Sequence, residues 1–496
     1  MTQESIGARE VLERGNPSAR ETVIDIVVKG DLCIGCGLCA AVCPRNSLKM
    51  RWSGQGELIP NMTGPCSGNC DLCLKVCPSF EHDLDQSTAA DDDFGSVPGI
   101  LTRPETGCYL GCYAGYSLFD NQRMQGASGG MVTWFLKTLL DRGLVDGVVC
   151  VVPDESPGTD RLFRFSILRS VSELRAAAKS KYHPVEISEV LRTILAEKED
   201  GKFAVVGLPC LLYGLKLAMS QIPKLRRRIA YRLSLVCGQL PNRYYTECLA
   251  LEAGVPVGSI HTIDYRVKEG TARAGNFAFH ACDASGVSGR PIYWNGLPNY
   301  LWQNSFFIHN ACNYCDDVFG ETADIAFMDA WLPEYESDPR GHSLIIARTC
   351  DVKEILEAGI KNGGCHLDPI SIEKIVQSQN RVIFKKKHLL KANLYRAGRL
   401  NRWAPKKRVA ADKIVYCLYY WAVNKTAMVI NESKRLWSRY RNTPDTREFW
   451  RAMKPVLLLM NLFKCLQKGV IILNELFDRV CNIHKCSSNK GRKHDR

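Results

Sequence analysis

No run of apolar residues in this chain reaches the roughly 18 to 20 uninterrupted positions expected of a membrane-spanning helix. The closest stretch, PVLLLMNLFKCLQKGVIIL, is interrupted by Lys464, Gln467 and Lys468. The N-terminal MTQESIGAREVLERG has no apolar core, which argues against a secretory signal and for a cytoplasmic protein. There is no GxGxxG after a strand pattern and no GxxxxGK(S/T) loop, so neither a dinucleotide-binding Rossmann unit nor a P-loop is expected. Cysteine, at 23 of 496 residues, is too sparse for a disulfide scaffold. Its spacing is that of metal ligation, which fits a reducing compartment.

What the chain does have is cysteine in two dense runs. CIGCGLCAAVCP places Cys33, Cys36, Cys39 and Cys43 at C-x2-C-x2-C-x3-C-P, a spacing that lets three thiolates and a distant fourth close around a cubane 4Fe-4S cluster. CSGNCDLCLKVCP repeats the pattern with Cys66, Cys70, Cys73 and Cys77, one residue longer in its first gap. In a two-cluster ferredoxin the fourth cysteine of each run serves the other cluster. That pairs Cys33, Cys36 and Cys39 with Cys77, and Cys66, Cys70 and Cys73 with Cys43. Thiolates at this spacing also suit zinc, but two runs each closed by proline, Pro44 and Pro78, favour clusters.

A chain this long exceeds one hydrophobic core, and 46% apolar with 24% charged residues is ordinary for a globular protein. Residues 1–20 read as a polar leader. Residues 21–82 read as an α+β ferredoxin-like two-cluster module, with TVIDIVV as a strand and 52–60 as a connecting hairpin. Residues 83–104, containing DLDQSTAADDDFG, have the composition of a mobile acidic linker. From 105 to 380, strand and helix patterns alternate, which predicts an α/β domain with a mainly parallel sheet. Its N-terminal part is 105–240 and its C-terminal part 241–380, where 260–294 suggests a second, α+β lobe. Residues 381–496 read as a helical basic extension.

Cys210 and Cys237 each follow an apolar strand directly, in KFAVVGLPC and RIAYRLSLVC. Parallel strands finish on one edge, where ligands bind, so the two thiols can meet. With the CxxC of Cys312 and Cys315 they make four thiolates, enough for a third cubane; the alternative is buried cysteines acting as small apolar residues. GASGGM, 126–131, precedes a helix. Ser128 there can cap the helix, or the turn can bind a phosphate.

In this order, GASGGMVTWFLKTLLDRGLVDGVV, KSKYHP, FAVVGLPCLLYGLKLA, LVCGQ, CNYCDD, ADIAFMDAWLPEY and GHSLIIART resemble the family of coenzyme F-420 hydrogenase and dehydrogenase beta subunits, over about residues 20 to 380. The chain departs from the family pattern at Leu208, where GLPC replaces Gly-Thr/Ser-Pro-Cys, and at Met328, where a glycine commonly stands. The resemblance implies an FAD with a 4Fe-4S cluster beside it in the α/β domain. It maps that cluster onto Cys210, Cys237, Cys312 and Cys315, and the flavin surroundings onto Ser128, Gly129, Gly130, Lys181, Tyr182 and Asp329. Lys181 is then either a cation near the flavin N1 or an exposed lysine. The function implied is an iron-sulfur flavoprotein oxidoreductase. It would take electrons from a ferredoxin or other redox partner protein through 4Fe-4S clusters to FAD, and on to an organic acceptor by hydride transfer. The competing reading is a non-catalytic electron-transfer subunit.

Charge is unevenly spread. Residues 381–496 carry 28 Lys and Arg against 7 Asp and Glu, whereas the whole chain is only +13, so the remainder is mildly acidic. A basic amphipathic tail can contact an anionic membrane peripherally, or pack as a cap on the body. Nucleic acid is not an expected partner, because no binding motif accompanies the charge.

Overall fold

The computed structural model describes residues 21–490 apart from 67–69, 83–84, 157–158 and 269–272. The polar leader, 1–20, lies outside the described residues. At the centre is an eight-stranded sheet. In spatial order its strands are Cys365–Pro369, Gly111–Ser117, Ser343–Ala347, Ile325–Asp329, Ile229–Leu235, Phe203–Gly207, Gly147–Pro153 and Phe163–Leu168. The strands Ile325–Asp329, Ile229–Leu235, Phe203–Gly207 and Gly147–Pro153 run parallel. Every residue of Phe203–Gly207 is buried, as expected of a strand covered on both faces. The helices Met131–Asp141, Ser188–Ala196 and Pro209–Gln221 supply that cover through apolar stripes that include Phe135, Leu191 and Leu212.

The sheet is mixed rather than mainly parallel, with four of its seven pairings antiparallel. A parallel pair needs a long crossover. Gly147–Pro153 and Phe163–Leu168 are joined directly, and only the single turn Pro333–Glu336 separates Ile325–Asp329 from Ser343–Ala347. Between Leu235 and Ile325 the chain builds the helix Arg243–Glu252 and a three-stranded antiparallel sheet, Ile260–Val267, Ala278–Asp283 and Ile292–Tyr293.

Two segments depart from their local composition. The β-branched TVIDIVV forms a π-helical turn, Ile24–Val28, instead of a strand. Val23, Ile26 and Val27 bury at helical spacing into the cysteine-rich core, and that burial outweighs strand propensity. The expected hairpin does form, from Leu48–Trp52 and Leu58–Met62. The acidic stretch is not an open linker, because Gln86–Phe94 is a helix. Asp85 caps it by accepting from Ser87 N at 2.8 Å and Thr88 N at 3.0 Å. Its acids answer bases on the sheet domain: Asp93 pairs with Arg232 at 2.7 Å and Asp92 with Lys216 at 3.3 Å. Ala89, Ala90 and Phe94 are buried beneath.

The extension wraps the body as the helices Leu389–Arg399, Lys413–Leu418, Tyr420–Tyr440 and Arg447–Lys490. Leu390 and Ala397 enter the core around the first cysteine runs, and Trp403 stacks on Phe80 at 5.9 Å. Trp437 is fully buried and donates through Nε1 to Glu247 Oε2 at 3.0 Å. Lys434 donates to Glu57 Oε1 at 2.6 Å in the cysteine module's hairpin. Removing one partner of a buried ion pair strands the other charge, at a cost of roughly 3–5 kcal/mol. Lys434→Met is therefore expected to lower stability by about that much in urea titration. Adding Glu57→Leu should recover a large part of the loss.

Candidate functional site

Tight backbone turns gather the first cysteine run. Gly35 and Gly37 adopt φ of 68° and 80°, and a Cβ at Gly35 would meet Leu58 O at 2.7 Å. Cys39 and Cys77 each feel the charges of Cys33, Cys36 and Cys73, so the last cysteine of the second run sits with the first run. Cys73 lies with Cys66 and Cys70, and Cys43 packs against the same core as Cys73. Burial pushes the Cys33 and Cys36 thiols up to about 12 and about 11. A thiolate there needs a cationic centre against it.

The second set of cysteines converges at the carboxyl edge of the sheet. Cys210 occupies the first turn of Pro209–Gln221, directly after the strand Phe203–Gly207, and Cys237 follows the neighbouring parallel strand Ile229–Leu235. Cys312, in the turn Asn310–Tyr314, and Cys315 come within electrostatic reach of Cys210 together with Cys237. Leu240 N donates to Cys312 Sγ at 3.2 Å.

Two lysines from beyond the sheet domain join this set, on the π-helical turn Phe384–His388. Lys386 Nζ lies 3.3 Å from Cys315 Sγ and donates to Asp317 O at 2.7 Å. Lys385 Nζ donates to Gln239 Oε1 at 2.6 Å and lies near Cys312 and Cys237. Burial opposes the charge on Lys386, but the surrounding cysteines raise its pKa overall; Lys385 is pushed down to about 8. The run KKK reads in sequence as solvated tail charge, and nothing local marks it as buried. Among the described residues no three His, Cys, Asp or Glu side chains close around a single metal ion. A cubane spreads its thiolates over separate irons, further apart than one ion holds them.

A cavity of about 250 Å³ opens between the two cysteine sets, walled by both Cys36 and Cys210. Gly130 to Thr133, at the N-terminus of the helix Met131–Asp141, form one side, and Val206, Leu235 and Phe327 form an apolar side. The turn at Ser128 is held from behind. Ser343 Oγ lies 3.0 Å from Ser128 Oγ and accepts from Gly129 N at 3.1 Å. Lys268 Nζ donates to the carbonyls of Arg123 and Ser128 at 2.7 Å and of Arg340 at 2.6 Å. Gly129 is dictated by packing, since a Cβ would meet Gly115 O at 2.5 Å. Gly130 needs its φ of 77°.

Lys181 lines the cavity, but its ammonium donates to the carbonyls of Ala177 at 2.8 Å, Lys179 at 3.2 Å, and Ala178. Burial pushes it down to about 8. Tyr182 packs among Tyr265, Trp294 and Trp302, with ring centroids 5.4, 6.4 and 5.3 Å away. Asp329 closes the carboxyl end of its strand, where Arg266 Nη1 donates to its two oxygens at 3.1 and 2.9 Å. Arg266 also lines the cavity, and its Nε has no protein partner. Sequence reasoning missed Arg266, Lys268, Ser343, Lys385 and Lys386, each of which reaches the site from another segment.

Known proteins match in the same regions. Residues 112–192 and 200–373 match the N-terminal and C-terminal parts of the coenzyme F420 hydrogenase/dehydrogenase beta subunit, and residues 32–82 match the 4Fe-4S dicluster domain. The coenzyme F420-dependent sulfite reductase of Methanocaldococcus jannaschii is 27% identical over 372 residues, covering 72% of this chain; the chain spans only 50% of that protein's length. A subunit of the F(420)H(2) dehydrogenase of Methanosarcina mazei is 23% identical over 316 residues, covering 62% of this chain and 78% of that one. A chain of the F420-reducing [NiFe] hydrogenase complex from Methanosarcina barkeri aligns with a TM-score of 0.46 at 17% identity, covering 62% of this chain and 99% of that one. 4Fe-4S binding goes with the match at residues 32–82, and both named relatives are oxidoreductases by name. The chain belongs to the family of coenzyme F420 hydrogenase/dehydrogenase beta subunits, with a 4Fe-4S dicluster domain fused ahead of the family's two parts.

Proposed function

We propose that the chain is a flavin-dependent iron-sulfur oxidoreductase in which two electrons enter one at a time at the ferredoxin module and, with one proton from solvent, would leave as a hydride to an organic acceptor. One observation carries this reading: a single cavity is walled by Cys36 of the first cysteine set and Cys210 of the second. A cofactor there stands beside both. The wall suits a flavin nucleotide, with an apolar side for the ring, the amides of a helix N-terminus for a phosphate, and Arg266 with an unpaired Nε as a further donor. A bound flavin exchanges electrons singly or in pairs, which is the cofactor's own chemistry.

The protein's part is to hold and tune. Cys33, Cys36, Cys39 and Cys77 hold one cubane, Cys66, Cys70, Cys73 and Cys43 a second, and Cys210, Cys237, Cys312 and Cys315 a third. Ser128, Gly129 and Gly130 shape the flavin turn, with Lys268 and Ser343 locking it. Lys181 lines the flavin cavity while fastening the 177–179 carbonyls, and Tyr182 and Asp329 position Arg266. The electron donor is a ferredoxin or another redox protein. Coenzyme F420 is the class of organic hydride carrier that the relatives' names support; an F(420)H(2) dehydrogenase takes hydride from the reduced coenzyme, the same transfer run in reverse. The Methanosarcina mazei relative is by name one part of a larger dehydrogenase, which favours the second reading, a relay to a separate catalytic chain. A screen of obligate hydride acceptors with the reduced protein separates the two, since a one-electron relay reduces none of them.

Three measurements test the assignments. Anaerobically purified protein is expected to hold about twelve irons and one FAD, and Cys210→Ser about four fewer irons; an unchanged iron count refutes the third cluster. Lys268→Met leaves three carbonyls without their donor and should weaken FAD retention about tenfold in equilibrium dialysis while iron content stays constant. Lys386→Met removes a buried positive charge beside Cys315. It should lower one midpoint potential in an EPR-monitored titration by on the order of 60 mV, a tenfold change for a one-electron couple.

A further inference from the structure

The helix Arg447–Lys490 has two apolar faces. One packs on Tyr420–Tyr440 and the body through Met453, Val456 and Met460. Gln467, which interrupts the apolar run in sequence, is turned to that inner face: its Nε2 donates to Leu418 O at 2.8 Å and its Oε1 accepts from Ala422 N at 3.0 Å. The opposite face is left open, with Leu458, Leu462 and Leu473 exposed by 72%, 51% and 68%, and Leu466 between them at helical spacing. Residues Arg447–Asn474 are long and apolar enough to cross a membrane by length and composition, although the sequence reads as broken there, and only 17% of the most apolar window is buried. An apolar face of this kind on an outer helix marks an interaction surface.

Charge selects the partner. Arg451, Lys454 and Lys468 are exposed on the same helix, whereas Lys464 meets Lys425 of Tyr420–Tyr440 on the inner side. The helix thus sets exposed cations along its leucine stripe, within an extension of 28 basic against 7 acidic residues. We propose that it docks in the plane of an anionic phospholipid surface, with Leu458, Leu462, Leu466 and Leu473 in the acyl boundary and Arg451, Lys454 and Lys468 at the phosphates. A spanning orientation would strip Met453, Met460 and Gln467 from the contacts they make on the other face. The inference does not depend on the cofactor assignment.

The test is flotation of the full chain with phosphatidylglycerol-containing vesicles and with pure phosphatidylcholine vesicles. The wild type should float with the former, and less so as salt rises. Leu458→Ser, Leu462→Ser and Leu473→Ser together should lower partitioning at least about tenfold, and Lys454→Gln with Lys468→Gln should remove the preference for the anionic lipid. Unchanged near-UV circular dichroism shows that these variants fold. Equal partitioning of wild type and the leucine variant overturns the proposal. So does resistance to alkaline carbonate, which means a spanning helix, or a dimer in sedimentation that the leucine changes dissociate, which means a second copy covers the face.

Discussion

A buried carboxylate, Glu57, joins the three parts of this protein. It stands on the hairpin of the cysteine module, accepts from Lys434 of the extension at 2.6 Å, and lies 3.7 Å from His309 of the sheet domain. His309 Nδ1 in turn lies 3.2 Å from the carbonyl of Cys33. Burial alone would raise the Glu57 pKa, but its charged neighbours, of which Lys434 is the hydrogen-bonded one, hold the carboxyl below its usual range, whereas burial lowers the pKa of His309 itself. A buried carboxylate without its cation is costly, so the charge favours the docked extension.

The extension is accordingly part of the redox body. Arg408 binds Asp316 at 3.2 Å and Glu321 at 2.7 Å, next to the Cys312–Cys315 turn, and Asn393 Nδ2 donates to Asn313 O at 3.1 Å. Arg408 is neutralised by these carboxylates, whereas Lys385 and Lys386 set buried amines beside Cys237, Cys312 and Cys315. The basic composition of residues 381–496 therefore serves two ends, with some charge turned inward to the cysteines and some left beside the open leucine face.

The disagreements between sequence and structure have one source. TVIDIVV has every local preference of a strand, yet Val23, Ile26 and Val27 meet the cysteine core on one helical face. DLDQSTAADDDFG looks solvated because its acids lack bases in sequence, whereas Arg232 and Lys216 supply them from more than a hundred residues away. The alternation of strands and helices was legible, as was the hairpin within the cysteine module. The antiparallel edges were not, because composition does not show how short a connection must be to reverse a strand.

By itself the sequence determined what spacing can encode: the two cysteine runs, the cysteines that end strands, the GASGG turn ahead of a helix and the basic tail. Each is local, a matter of which residues lie within a few positions of one another. Tertiary structure decided what the cavity is made of. It set Cys36 opposite Cys210, turned Tyr182 into an aromatic cluster, tied Lys181 to backbone carbonyls, and brought in Arg266, Lys268, Ser343 and two lysines of the tail. These are long-range contacts between segments that carry no mark of one another, held because buried charge must find a partner.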